Sequence, residues 1–201
     1  KLKKCLINTC ALISMMTMIG CSNNDTKEND TVEAENKTYV DDSIVIATSV
    51  AVTEILDELG VKISGVPKTS YELPESTKDA AEVGTPMNPD LEIIKSLNPD
   101  LVVSVDTLGQ DFIDNFTENN IPSEFVNLSS YEGLKESIVT LGNKFDKADK
   151  ANEILDELTA KEENLKSKFE NEEKPRVLVI FGAPGTMMLG TSKSYVGNLV
   201  D

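Results

Sequence analysis

The sequence predicts an α/β fold: two lobes with parallel sheets joined by one long helix, with the second lobe truncated. Three features carry this. Short apolar, β-branched runs alternate with helical periodicity from about 43 to 130, a long charged helical pattern follows, and a new buried strand begins near 175. Strands that are apolar along their whole length, with helices between them, imply parallel pairing with both faces covered.

The elements follow in order. Ile44-Val45-Ile46-Ala47-Thr48 reads as a buried strand, and Ser49 as the cap of a helix carrying Val52, Ile55, Leu56 and Leu59 and closed by Gly60. Residues 63–66 make a second short strand, and 67–89 are rich in turn-formers without a long period. A short helix over 91–97 lies between Pro89-Asp90 and Asn98-Pro99. Leu101-Val102-Val103-Ser104-Val105 is a strand, Phe112, Ile113 and Phe116 mark a helix, and Phe125-Val126-Asn127-Leu128 another strand. From 131 the pattern changes. Leu134, Ile138 and Leu141 give one helix. Ile154, Leu155, Leu158, Leu165 and Phe169 lie on a long one whose alternating charges form a solvated face, and Pro175 ends it. Arg176-Val177-Leu178-Val179-Ile180-Phe181 is the next strand. The expected organisation is an N-terminal lobe over 43–130, a helical region with the interlobe helix over 131–174, and the start of a second lobe over 175–201. The chain opens on Lys1 rather than Met and runs through an amphipathic stretch into Asp201, so a fragment is expected.

Ahead of the lobes, Lys1, Lys3 and Lys4 precede an uncharged apolar run to Ile19, too short for a comfortable membrane span of about 20 residues. It fits a secretory signal. Met18-Ile19-Gly20-Cys21 resembles a lipobox, with Met18 where Leu is usual. Residues 1–21 are therefore expected to be a lipoprotein signal and Cys21 the lipidated residue, the alternatives being a plain signal peptide or a short anchor. Residues 22–42, polar, acidic and aperiodic, are expected to be a disordered tether. Cys5, Cys10 and Cys21 are the three cysteines, so no thiol remains after position 21.

The 201 residues carry a net charge of −16, which argues against a nucleic-acid partner. Histidine and Trp are absent and aromatics total 5%. Ser–His–Asp and Cys–His catalysis and His-based zinc sites are thereby excluded within these residues. There is no calcium loop, phosphate loop or nucleophile elbow. An enzyme is not expected.

Two places invite a ligand. The strand-to-helix turn Thr48-Ser49-Val50-Ala51 presents N–H groups at a helix N-terminus, where open α/β sheets receive anions; the plainer reading is an ordinary capped turn. Met87 lies in a loop between Pro86 and Pro89. It is either a packing plug or a soft ligand suited to haem iron or copper. Met187 and Met188 raise the same alternatives.

The order of segments resembles the helical-backbone class of ABC-transporter substrate-binding lipoproteins, a periplasmic-binding-protein-like fold whose members carry siderophores, cobalamin or haem. Four local motifs narrow the resemblance: Ala47-Thr48-Ser49-Val50-Ala51-Val52-Thr53-Glu54-Ile55, Ser70-Tyr71-Glu72-Leu73-Pro74, the run from Glu82 through Met87-Asn88-Pro89-Asp90 to Ser96, and Gly182-Ala183-Pro184-Gly185. They closely resemble the haem-receptor lipoproteins of the iron-regulated surface determinant type known from staphylococci. The resemblance implies haem as a carried ligand in a groove between the lobes, with Met87 on the iron and a second ligand beyond Asp201. It implies that the Ser49, Val50 and Ala51 helix start receives a propionate, that Tyr71 lines the pocket, and that Gly182, Pro184 and Gly185 line the groove from the second lobe. It further implies an ABC permease as partner, docked through Glu92. A monomer is expected on the extracellular face of the plasma membrane, attached through its lipid anchor only, and the rigid interlobe helix is expected to permit little closure on binding. The near alternative is a ferric siderophore or a corrinoid on the same fold. A hydrolase or an adhesive lipoprotein stands further off.

Overall fold

The computed structural model describes residues 38–183 and 185–200. The signal segment with Cys21, the tether as far as residue 37, and Pro184 lie outside the described residues.

Five short strands form one parallel sheet. They are β1 (Val45–Ala47), β2 (Gly65–Val66), β3 (Ala81–Glu82), β6 (Leu101–Val105) and β7 (Ser123–Val126), in the order β3-β2-β1-β6-β7. β1 is central and pairs Val45, Ile46 and Ala47 with Leu101, Val102 and Val103. Its helices are α1 (Val50–Glu58), α2 (Leu91–Ser96), α3 (Gln110–Glu118), α4 (Tyr131–Lys144) and α5 (Ala148–Phe169). Because successive side chains of a strand point to opposite faces, each central strand feeds two cores. Val45, Ala47, Leu101 and Val103 pack with Val52 and Leu56 of α1, Ile138 and Leu141 of α4 and Ala151 of α5. Ile46 and Val102 pack on the other side with Ile94 of α2 and Phe116 of α3. Phe116 is fully buried, and its ring meets Phe112 at 5.2 Å and Phe125 at 5.6 Å between centroids. A sheet covered on both faces is what near-continuous apolar strands require.

The expected elements appear with small shifts. The strand expected at 125–128 runs over Ser123–Val126. The turn-rich segment 67–89 holds β3 and a small antiparallel hairpin, β4 (Gly84–Thr85) and β5 (Asn88–Pro89), too short to leave a period in the sequence. The tether was expected to reach residue 42, but Tyr39 is buried. Its N–H donates to Lys144 O at 2.8 Å and its ring lies 5.7 Å from that of Phe145, so the folded body includes residue 39. One aromatic side chain outweighs the acidic residues around it.

α5 is 22 residues long, about 33 Å at 1.5 Å per residue. It crosses α4 closely at Gly142, where an added Cβ would lie 2.5 Å from the Ala151 Cβ, so only glycine fits. After α5 the chain forms the antiparallel hairpin β8 (Val179–Ala183) and β9 (Thr186–Gly190), then α6 (Tyr195–Val200). The strand expected at 176–181 is thus found slightly later, paired with its own successor. No helix among the described residues is long and apolar enough to cross a membrane.

Candidate ligand-binding site

All five strands of the sheet are parallel, so their C-terminal ends share one edge. Residues singled out in the sequence follow three of those ends. Ser49 to Ala51 follow β1, Tyr71 follows β2 and Met87 follows β3. An open α/β sheet binds ligands outside this edge because the loops there are set by rigid strands.

At the end of β1, Thr48 is buried. Its hydroxyl donates to Ser104 Oγ at 2.7 Å and its N–H to Val103 O at 3.2 Å, which ties the turn to β6. Ser49 is extended, at φ −138° and ψ 157°, and its Oγ accepts from Val52 N at 3.3 Å, the geometry of an N-cap. The N–H groups of Val50 and Ala51 precede the first intrahelical bond and have no acceptor among the described residues. The first turn of α1 holds no acidic residue, so no side chain of its own neutralises the positive helix end.

Met87 stands at the tip of the β4–β5 hairpin. Gly84 pairs with Pro89 and Thr85 with Asn88, leaving Pro86-Met87 as a two-residue turn. The hairpin is fastened at its base: Asp90 N donates to Val83 O at 2.8 Å, and Lys68 N to Gly84 O at 2.7 Å. The second bond joins it to the loop bearing Tyr71. Gly84 has φ +92°, and an added Cβ would meet Asp90 N at 2.6 Å, so the turn needs glycine twice over. Met87 is 74% exposed, which removes the packing-plug alternative. Tyr71 is likewise exposed, its N–H donating to Thr69 Oγ1 at 3.1 Å.

Asp90 closes the hairpin and caps α2, its Oδ1 accepting from Glu92 N and Ile93 N at 3.1 Å each. Glu92 therefore lies in the first turn of α2, beside the hairpin. It is exposed, with Lys95 Nζ 3.8 Å away. Gly182 and Gly185 belong to the β8–β9 hairpin, Gly182 paired with Met187 and Gly185 in the turn; a Cβ on either would meet nothing within 4 Å. Met187 and Met188 are exposed rather than core.

Sequence reasoning did not find an apolar recess near this edge. A cavity of about 500 Å³ is bounded by Ala51 and Ile55 of α1, Leu128, Leu134 and Ile138, Ile154 of α5, and Tyr195 of α6. Ala51 connects it to the α1 N-terminus. Its walls come from five separate segments, which no linear pattern joins. Among the described residues, no three His, Cys, Asp or Glu side chains gather as a metal site.

A parallel sheet whose candidate loops share one edge, followed by a long helix and a second α/β segment, is the architecture of a class of binding protein. This chain belongs to the periplasmic binding protein family, whose model matches residues 45–201. It is 32% identical over 193 residues to the high-affinity heme uptake system protein IsdE of Staphylococcus aureus, covering 96% of this chain and 63% of that relative. The chain thus spans somewhat less than two thirds of the curated relatives it matches. The structure of S. aureus IsdE complexed with heme superposes with a TM-score of 0.75 at 34% identity, over 79% of this chain and 62% of that one. An ABC transporter substrate-binding protein from Listeria monocytogenes superposes at 0.74 and 37% identity, over 79% and 61%. FhuD from Vibrio cholerae, a siderophore binding protein solved with Fe3+-Desferal, shares the fold at 0.61 and 24% identity, over 75% and 61%.

Proposed function

We propose that this chain is the substrate-binding component of an ABC importer and that its cargo is haem. The observation that carries this reading is Met87, a thioether held exposed on a fastened hairpin at the same sheet edge as the open N–H groups of Val50 and Ala51. Haem is a large apolar disc with a metal at its centre and two carboxylates on one side. A soft sulfur suits its iron, a helix N-terminus suits a propionate, and an apolar recess suits the disc. In this reading Met87 takes one axial position and a residue beyond Asp201 the other. Ser49 holds the α1 start in shape, Val50 and Ala51 donate to a propionate, Tyr71 borders the macrocycle, and Gly182 and Gly185 line the groove from the second segment without side-chain bulk. Iron ligated on both faces has no open position for oxygen chemistry, which suits a carrier.

Cys21 carries the lipid, so the protein is held at the extracellular face of the plasma membrane as a monomer. Glu92, exposed beside the hairpin, docks on the permease. The test is a haemin titration of the full-length protein, read at the Soret band, with and without Met87→Ala. Saturable one-to-one binding whose spectrum changes in the variant supports the reading. Normal haemin binding by Met87→Ala would remove Met87 from the iron, and no saturable binding by the full-length protein would favour a siderophore or a corrinoid on the same fold.

A further inference from the structure

Tyr131 N–H donates to Asn198 Oδ1 at 2.9 Å, across 67 residues of sequence. Tyr131 is the first residue of α4, and the first N–H groups of a helix lack intrahelical acceptors. Asn198 of α6 thus satisfies an otherwise open donor, a bond that solvent would replace only loosely. Around it, the Tyr131 ring carries Lys135 Nζ at 4.6 Å from its centroid, and its hydroxyl lies beside the Glu162 carboxylate of α5, which Lys166 Nζ also meets at 2.5 Å. One residue therefore touches three helices.

α6 is not a loose tail. Gly197 is buried so tightly that a Cβ there would lie 1.9 Å from Thr191 O, and its N–H donates to Ser194 Oγ at 3.2 Å. The helix is packed on the turn that leaves β9, so what holds α6 also restrains the β8–β9 hairpin. Tyr195, three residues before Asn198 and so on the same helix face, is a wall of the cavity that Ala51 borders.

We propose that Asn198 and Tyr131 form a clamp that fixes the β8–β9 and α6 segment on the start of α4, and so positions Tyr195 at the wall of the cavity that Ala51 also borders. Asn198 is a positioning residue: it sets the width of the recess without lining it. The clamp stands on the geometry alone, while its effect on cargo rests on the reading above.

Fluorine NMR of the full chain labelled with 3-fluorotyrosine separates the two. The tyrosines at 39, 71, 131 and 195 are each assignable by a Tyr→Phe variant. Asn198→Ala should shift the Tyr131 resonance and move Tyr195 towards the position and sharpness of exposed Tyr71, leaving Tyr39 in place. Asn198→Asp, which keeps an acceptor oxygen, should restore the native spectrum. A Tyr195 resonance unchanged by Asn198→Ala would overturn the clamp. Haemin should leave the Asn198→Ala protein about fivefold faster, the scale of one net hydrogen bond. Moved resonances with an unchanged dissociation rate would leave the contact standing and overturn its effect on the cargo, whereas no saturable haemin binding by the unsubstituted protein would count against haem itself.

Discussion

Burying a methionine side chain contributes roughly 1.5–3 kcal/mol, and Met87 forgoes it by standing exposed between Pro86 and Asn88. Its loss should therefore cost the fold little. Met87→Ala is expected to keep the melting temperature, within about 0.5 kcal/mol, while altering the Soret spectrum of the haemin complex. Thermal melts and titration of the same sample check both halves. Thr48 is the opposite case. Its hydroxyl is buried against Ser104, itself buried, at 2.7 Å. Thr48→Val keeps the volume and leaves the Ser104 hydroxyl without this partner, so a loss of about 1–3 kcal/mol in urea unfolding is expected. Ser49 was legible as a cap because its chemistry is local, three residues from its partner. The exposure of Met87 was not legible, since a thioether reads the same inside a core or outside it.

The elements that carry the site are short, and their ends matter more than their lengths. The β4–β5 hairpin has two residues in each strand, so its shape depends on the bonds at its base. Gly84→Ala places a Cβ 2.6 Å from Asp90 N at φ +92°. It is expected to distort the hairpin, to cost more than about 1 kcal/mol, and to weaken haemin binding although Met87 is intact. Amide exchange should rise at Asn88 and Asp90 and stay unchanged in β6. Asp90→Ala removes the cap of α2 and should cost about 1 kcal/mol; an unaltered urea midpoint would contradict that. Periodicity revealed α1, α3, α4 and α5, where apolar residues recur often enough to count. It could not reveal β3, β4 and β5, two-residue strands that exist only through their pairing.

Across the whole molecule, α5 links the sheet body to the segment beginning at β8. A continuous helix resists bending at its centre, and small closure is expected on binding. Solution scattering of the apo and haemin-loaded full-length protein should give nearly the same radius of gyration, and a large compaction would contradict this. The α4–α5 cluster adds a pH dependence. Glu162 is held below its ordinary value of 4.5, first by its hydrogen bond to Lys166 and also by Lys135 and the Tyr131 hydroxyl. A depressed carboxylate stabilises the fold above its unfolded pKa, and that contribution is lost as pH falls through the lower folded value. Glu162→Gln should therefore flatten the decline of melting temperature below about pH 4.5 and leave its slope near neutrality unchanged.

The sequence alone determined the class of fold, since whole-length apolar strands must be covered on both faces and parallel pairing follows. It also marked Ser49 and drew attention to Met87 by residue type and local motif. Tertiary structure decided the rest. Sheet order brought the ends of β1, β2 and β3 to one edge, a buried Tyr39 moved the start of the folded body, and a hydrogen bond joined residue 131 to residue 198. Periodicity records which face of an element is apolar. Which elements meet is settled by the packing and pairing of segments far apart in the chain, and the cavity beside Ala51 exists only where five of them converge.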